Sequence, residues 1–331
     1  MNSMTTTSAL RASALALAAV TIVAAAAADA AAAEPFPCKT IRLIAPNPPG
    51  GATDVLSRML AAPLGRRLDV PVAVENKGGA STNIGNEYVV RAAPDGCTLL
   101  LGNISMALNK SLFHLNFEIE KDLRAVIQVA SVPLVLFVHP SVKVTSVKEF
   151  IALAAASPGK VTFSSAGNGT PTHLIAEMIN QNAGVKIVHV PYRGAGPATM
   201  DVIAGQITSS TDSLIPVVPH IRSQTVRALA VTGPARSPAL PEVPTFREQG
   251  VDYVDLSLWY GVMAPARTPD AIVKRLNEEL SAVLSSPEVR EKLVSLGSSD
   301  TDRSPDAFQH LVASETARLG DLIRATGVKV E

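Results

Sequence analysis

The stretch that decides the fold is residues 41–60, IRLIAPNPPGGATDVLSRML. Residues 41–45 form a short apolar run typical of a buried strand, and from Thr53 onward apolar residues recur on one helical face. The glycines between them let the backbone turn tightly and direct its amides outward. Because such amides lie at the positive end of a helix dipole, residues 46–54, here named the first glycine turn, predict an anion site.

Residues 165–173, SAGNGTPTH, repeat this arrangement, and we name them the second glycine turn. Either turn alone is weak evidence, because tight strand-to-helix turns are rich in glycine for geometric reasons. Together they predict two anion-binding turns that face one cleft.

The rest of the chain alternates short β-rich runs with helical periodicity, which is typical of parallel sheets covered by helices. The strand candidates are residues 41–45, 72–75, 98–101, 134–139, 161–164, 187–190, 207–210, 226–231 and 258–264. We expect the chain to leave a first domain near residues 130–133 and to return near Leu258. This predicts an α/β fold with domain 1 at residues 34–132 and 259–331, domain 2 at residues 133–258, and a hinge of two crossings.

Length and composition agree with that class. A chain of 331 residues can bury two ordinary cores, and its 29 basic and 29 acidic side chains argue against a nucleic-acid binder or a polybasic membrane-surface protein. Aromatic residues make up only 4%, which disfavours a platform for base stacking.

The first 33 residues have the pattern of a secretory signal peptide. An early base, Arg11, precedes an apolar, alanine-rich run and then small residues that end at Ala33. We therefore expect export to the periplasm with cleavage near Ala33. The residues before Cys38 do not fit a lipoprotein signal, so no lipid anchor is expected.

The chain has two cysteines, Cys38 and Cys97, each just before a predicted strand. If those strands are parallel neighbours, the two thiols come close enough to pair. Because exported proteins keep disulfides, we predict a Cys38–Cys97 bond, and two buried free thiols are the alternative.

Motifs of other chemistries are absent. The sequence contains no Walker motif, no dinucleotide fingerprint after the first strand, no G-x-S-x-G elbow and no histidine pair at metal-ligand spacing, so we predict no catalysis, cofactor or metal. His189 alternates with apolar neighbours and is predicted to be a core or hinge residue. His173, in the first helical turn after the second glycine turn, is a candidate ligand contact.

Several blocks in order give the chain a family resemblance. They are IRLIAPNPPGGATDVLSRMLA, VPVAVENKGGASTNIGNEYVVRAAPDGCTLLLGN, HVPYRGAGPATMDVIAGQI, VRALAVTGPARSPALPEVPTFREQG and WYGVMAPARTP. The chain resembles, over essentially all its length after the leader, the substrate-binding proteins of the tripartite tricarboxylate transporters, also described as Bordetella uptake gene receptors.

The resemblance implies a two-domain periplasmic-binding-protein fold of the Venus-flytrap, type II-like kind. It also implies a small organic carboxylate as ligand, membrane permease subunits as partners, and a monomer that catalyses no reaction. In the family the two turns hold the ligand's carboxylate, and the matching positions here are Gly50, Gly51, Ala52, Thr53, Asp54, Ala166, Gly167, Asn168, Gly169 and Thr170.

The chain also departs from the family. Asn47 stands where an aromatic residue is usual, and GNISMAL at residues 102–108 replaces a stretch richer in threonine and histidine. Both departures are expected at the pocket, so the ligand's identity does not carry over. Cys97 replaces a common tyrosine.

Further site candidates come from single residues. Tyr192 is expected to reach the cleft, and whether its neighbour Arg193 does stays open. Asp212 ends a strand where cleft residues gather; it would orient water or accept from an ammonium or hydroxyl group, or cap the next turn. Trp259 and Tyr260 are expected to pack at the hinge.

Three functions remain open at this level. The first is a periplasmic receptor that delivers its ligand to a permease. The second is a sensing receptor of the same fold, and the third is an exported α/β enzyme, which the missing nucleophile and metal motifs oppose.

Overall fold

The computed structural model of the chain describes residues 36–326. The predicted leader, residues 1–33, lies outside the described residues. The strands are β1 (Ile41–Ala45), β2 (Val72–Asn76), β3 (Thr98–Asn103), β4 (Leu123–Val138), β5 (Thr162–Ser165), β6 (Val188–Pro191), β7 (Ser209–Ser213), β8 (Arg227–Val231) and β9 (Ser257–Pro265).

The helices alternate with these strands, as the periodicity predicts. They are α1 (Ala52–Leu68), α2 (Asn83–Val90), α3 (Ser105–Leu112), α4 (Ile119–Asp122), α5 (Val147–Ala156), α6 (Pro171–Ala183), α7 (Ala195–Ile203), α8 (Leu214–Arg222), α9 (Asp270–Ser285), α10 (Pro287–Ser295) and α11 (Pro305–Thr326). Two short 3-10 turns lie at Ala80–Thr82 and Arg247–Gln249. Within residues 36–326 no helix is both long enough and apolar enough to cross a membrane.

The strands form one sheet in the order β2-β1-β3-β9-β4-β7-β5-β6, and β8 also pairs with β4. Strand β1 is parallel to β2 and β3, and β5 is parallel to β6 and β7, whereas the pairings of β4 and the β3–β9 pairing are antiparallel. We name β1, β2, β3 and β9 the first sheet half, and β5 to β8 the second. The class of fold, α/β with a mixed sheet, is as predicted.

Strand β4 joins the two halves. It pairs with β9 as far as Pro133 and with β7 from Leu134 onward. The prediction that this strand begins at residue 134 is wrong, since it begins at Leu123. Two register shifts, between Ala125 and Ile127 and between Gln128 and Ala130, break the alternation that would have revealed the strand. The predicted domain boundaries are close to the change of partner and stay a prediction.

The carboxyl-terminal helices return to the first sheet half. Helices α9 and α11 both contact β4, and the ring of Phe308 on α11 meets Trp259 of β9 edge-on, 5.5 Å between centroids. Gly261 makes room for that ring, because a Cβ at this position would lie 2.1 Å from Cζ of Phe308. This packing secures β9, the strand that carries the chain back from the second half.

The predicted disulfide is confirmed. Cys38 and Cys97 are bonded, with their Cα atoms 5.6 Å apart. The reason is the one expected from the sequence: β1 and β3 are parallel neighbours, with Arg42 opposite Thr98, so the residues that precede them are close. No cysteine of the described residues is free.

Candidate functional site

A narrow cavity of about 60 Å³ lies where both glycine turns meet the ends of the strands, and we name it the central cavity. Residues from both sheet halves line it, namely Asn47, Gly51, Ala52, Thr53, Asn103, Ile104, Ser105, Ala166, Thr170, Pro171, Thr172, Ala195, Asp212, Leu258 and Tyr260. Six residues of the predicted site are among them: Gly51, Ala52, Thr53, Ala166, Thr170 and Asp212.

The first glycine turn leaves its helix uncapped. Helix α1 begins at Ala52 with Gly51 as its N-cap residue, and no side chain accepts a hydrogen bond from the first-turn amides at that cap. The amides of Ala52 and Thr53 belong to the first turn, which has no intrahelical acceptors. Both residues line the cavity, and their amides are at the positive end of the helix dipole, where anions bind favourably.

Asp54 and Gly50 stabilise this turn by hydrogen bonds and are not among the residues that line the cavity. The Gly50 amide donates to Asp54 Oδ2 at 3.1 Å, and Arg58 donates to Asp54 Oδ1 at 3.0 Å. Burial alone raises the pKa of Asp54, but the hydrogen bonds from Arg58 and Gly50 outweigh it and hold the pKa below its usual value. The expected ligand roles of Gly50 and Asp54 therefore have no support from their position.

The second glycine turn differs, because its own side chains take up its amides. The amides of Ala166, Gly167 and Gly169 donate to the side chains of Thr172, Ser165 and His173 at 3.0, 3.1 and 3.1 Å. Helix α6 also has a proline at its first position and a side-chain cap from Thr170. The two turns are alike in sequence but unequal as anion sites.

Asn47 is the centre of a polar network at the cavity wall. Its Oδ1 accepts from Thr53 Oγ1 at 3.0 Å and from Asn103 Nδ2 at 3.2 Å. Because both bonds use the oxygen, the Nδ2 group of Asn47 is left to donate to a ligand. Asn103 is fixed in turn by the Ser105 amide, which donates to its Oδ1 at 2.9 Å. The cavity lining thus includes Asn47 and part of residues 102–108, the two places where the sequence departs from the resembled family near the expected pocket.

His173 supports the second glycine turn instead of lining the cavity. Its Nδ1 accepts from the Gly169 amide, and its ring stacks on His189 with centroids 4.0 Å apart. Burial lowers the pKa of His173, and burial together with the neighbouring His173 ring lowers the pKa of His189 to about 4. Both rings are therefore neutral near pH 7, and His189 bonds Ser165 Oγ at 2.5 Å.

Other predicted contacts also lie elsewhere. The Tyr192 hydroxyl donates to Asp201. Burial raises the pKa of Tyr192 most, this hydrogen bond adds to the effect, and the pKa is about 12. Arg193 is exposed. The cavity lining does not include these two residues, nor Gly167, Asn168 or Gly169.

Asp212 and Tyr260 are the two titratable side chains that line the cavity among the described residues. Asp212 is 5% exposed, and its Oδ1 accepts from the Ser213 amide at 2.7 Å and its Oδ2 from Thr199 Oγ1 at 3.3 Å. Burial raises the pKa of Asp212 to about 7, more than these two bonds lower it. Burial also raises the pKa of Tyr260, whose hydroxyl bonds Ser213.

The two β9 aromatics, both expected to pack at the hinge, have different surroundings, and their hinge role stays a prediction. Trp259 packs against Phe308, as described above, but Tyr260 lines the central cavity. Adjacent strand residues point to opposite faces of a sheet, so the two side chains had to face different surroundings.

No lysine, arginine or histidine is among the residues that line the central cavity in the described part of the chain. An anion there would be held by amides and hydroxyl groups. Across residues 36–326, no group of three or more histidine, cysteine, aspartate or glutamate side chains is placed to hold a metal ion.

A mixed sheet in two halves, with a polar cavity at their junction beside helix N-termini, is the architecture of solved periplasmic binding proteins. The solved structure of the periplasmic binding protein BugD matches with a TM-score of 0.85 at 30% identity, covering 89% of this chain and 100% of the other. The fold class predicted from the sequence is confirmed.

The chain belongs to the tripartite tricarboxylate transporter receptor family, whose model matches residues 56–328. It is 36% identical to protein BugT of Bordetella pertussis over 302 residues, 90% of this chain and 93% of BugT. A structure described as R. palustris Rpa4515 with adipate matches at 32% identity with a TM-score of 0.85, covering 89% of this chain and 99% of that one. The predicted family is confirmed.

Proposed function

We propose that this chain is a periplasmic receptor that binds a small organic carboxylate in the central cavity and delivers it to a tripartite tricarboxylate-type permease. One observation carries this proposal: Ala52 and Thr53 of the first turn of α1 line the cavity, and this turn has no side-chain cap. The related protein with adipate supports the class of ligand.

The absence of lysine, arginine and histidine from the described lining residues favours an amide-based site on physical grounds. Helix N-termini bind anions without a formal positive charge, and a carboxylate accepts strong bonds from amides and from the Asn47 Nδ2 group. Thr53 supplies a hydroxyl group beside them. We therefore place one ligand carboxylate on the first glycine turn, with the second glycine turn closing over it.

The proposal includes two domains that close around the ligand. We assign residues 34–132 and 259–331 to one and residues 133–258 to the other, joined through β4 and the return of the chain into β9. The exported chain is proposed to be cleaved near Ala33, to act as a monomer and to catalyse no reaction.

A thermal-shift screen of mono-, di- and tricarboxylates on the exported protein tests this function. A ligand present at 100 times its Kd adds roughly 2.7 kcal/mol of stability, a shift of several degrees for a chain of this size. We expect at least one dicarboxylate to give such a shift. Uncharged amides of matched length serve as controls, and equal shifts from both classes would contradict a carboxylate receptor.

A further inference from the structure

Among the described residues that line the central cavity, Asp212 is the one with a carboxyl group. Its oxygens accept only from neutral groups, the Ser213 amide and the Thr199 hydroxyl. No ion pair within the described residues includes Asp212. A carboxylate ligand would therefore enter a cavity whose own formal charge is negative or zero, according to the state of this group.

The groups that face Asp212 come from three elements, and none is cationic. Helix α7 supplies Thr199, the end of β7 itself supplies the Ser213 amide, and β9 supplies Tyr260, which is neutral near pH 7. None of these groups offsets the repulsion between two carboxylates in a small, buried space.

We propose that Asp212 binds a proton from solvent when a carboxylate ligand enters the central cavity. This inference rests on the proposed function and deepens it. The neutral carboxyl group then donates its O–H to a ligand oxygen or to a bridging water, while Oδ1 still accepts from Ser213. No bond other than the O–H bond forms, and the proton comes from the buffer.

The direction of the pH dependence follows from linkage. In the free protein burial raises the pKa of Asp212 to about 7, and a bound anion nearby raises it further. Below pH 7 the group is largely protonated already, so its titration changes affinity little. Above pH 7 binding requires proton uptake, and affinity falls by up to about tenfold per pH unit until the pKa of the complex is reached.

A ligand with an ammonium group would behave in the opposite way. It would keep Asp212 ionised, so binding would take up no proton through this group and would release one below pH 7. An uncharged hydrogen-bond donor on the ligand, such as a hydroxyl group, would also favour the ionised form and so lower the pKa of Asp212. The proton count therefore separates the ways in which Asp212 can meet a ligand.

Isothermal titration calorimetry of the exported protein with adipate at pH 8, in HEPES and in Tris, counts the protons. Adipate is fully ionised at this pH, since free carboxyl pKa values are about 4. We expect the apparent binding enthalpy to differ between the buffers in the sense of proton uptake, approaching one proton per ligand. Affinity should rise as the pH is lowered from 8 to 7.

Asp212→Asn is the matched variant, because an amide has the shape of a neutral carboxyl group and can donate. We expect it to bind adipate without proton uptake and more tightly than the wild type at pH 8, with circular dichroism to verify folding. Adipate binding to the wild type without uptake, or equal uptake in a folded Asp212→Asn protein, would overturn the inference alone. Failure of every carboxylate to bind would overturn the proposed function and the inference with it.

Discussion

Gly194 lies against Pro48 so closely that no side chain fits between them: a Cβ on Gly194 would be 2.7 Å from Cδ of Pro48. Pro48 belongs to the first glycine turn, and Gly194 follows β6 of the second sheet half. Gly196 is similarly close, since its Cβ would lie 3.0 Å from the Pro49 carbonyl oxygen. Small residues thus let the two halves approach over the central cavity.

Gly196→Ala should weaken ligand binding while it leaves the fold intact. Gly196 is in helix α7 at an ordinary φ, where alanine adds roughly 0.5–1 kcal/mol of helix stability. The added methyl group presses on the first glycine turn and disfavours the closed arrangement. We expect a Kd for adipate roughly tenfold higher, measured by calorimetry. Met200→Ala, at an exposed position of the same helix, is the control; equal affinities of the two variants would argue against closure at this contact.

Substitution by valine should have different effects at the two threonines of the glycine turns, Thr53 and Thr170. Thr170 caps α6 and donates to the Gly167 carbonyl at 2.7 Å, so its loss should cost about 1 kcal/mol of folding stability. Thr53 caps nothing and bonds Asn47 at the cavity wall. Thr53→Val should therefore weaken adipate binding more than Thr170→Val, by up to roughly 1.5 to 3 kcal/mol.

Chemical unfolding and calorimetry on both variants measure this difference. A larger loss of affinity in Thr170→Val than in Thr53→Val would reverse the roles assigned to the two turns.

In the absence of ligand, Asp212 should make the protein less stable as the pH rises. Its pKa is about 7 in the folded chain and near 3.8 when unfolded, so between these values the folded state binds more protons and stability falls with rising pH. Asp212→Asn removes this dependence. The difference in free energy of unfolding, Asp212→Asn minus wild type, should therefore be larger at pH 8 than at pH 4 by a few kcal/mol, to order of magnitude. Urea unfolding at both pH values measures it, and a constant difference would contradict a raised pKa.

Reduction of the Cys38–Cys97 bond should destabilise the chain substantially. The bond spans 59 positions, which corresponds to a loss of about 4 kcal/mol of loop entropy in the unfolded state. Urea unfolding with and without reductant should give this difference, and Cys38→Ala with Cys97→Ala should match the reduced protein. An unchanged midpoint would mean that the unfolded chain gains no freedom when the bond is cut.

The fold could be predicted largely because its strands are short and sharply bounded. Strand β1 ends as predicted, since Pro46 follows Ala45 and apolar residues stop there. Strand β4 could not be delimited, because its register shifts remove the alternation on which the prediction depends. The disulfide was accessible from sequence because it required only that β1 and β3 be parallel neighbours.

The site was harder to predict than the fold. The spacing of glycines identified both turns, but it could not reveal that Ser165, Thr172 and His173 take up the amides of the second. Asn103 and Ser105 could be suspected only as departures from a family pattern. That Tyr260 rather than Trp259 lines the cavity could not be predicted, because the pattern of β9 does not tell which of two adjacent aromatics faces it.

The Ala52 amide tests the central claim most directly, because proline can replace Ala52 and remove only that donor. Ala52 is the first residue of α1, a position that tolerates proline, and Gly51 before it is extended, with φ −81° and ψ 170°, as a residue before proline should be. The equivalent position of α6 is already Pro171. Ala52→Gly is the control, since it retains the amide.

Calorimetric titration of Ala52→Pro, Ala52→Gly and wild type with the best dicarboxylate from the screen decides the question. If the ligand's carboxylate is bound by the first turn of α1, Ala52→Pro should lose roughly 1.5 to 3 kcal/mol of binding free energy, about tenfold to over a hundredfold in Kd, while Ala52→Gly binds nearly as wild type. An Ala52→Pro protein that folds and binds the dicarboxylate with wild-type affinity would contradict the claim.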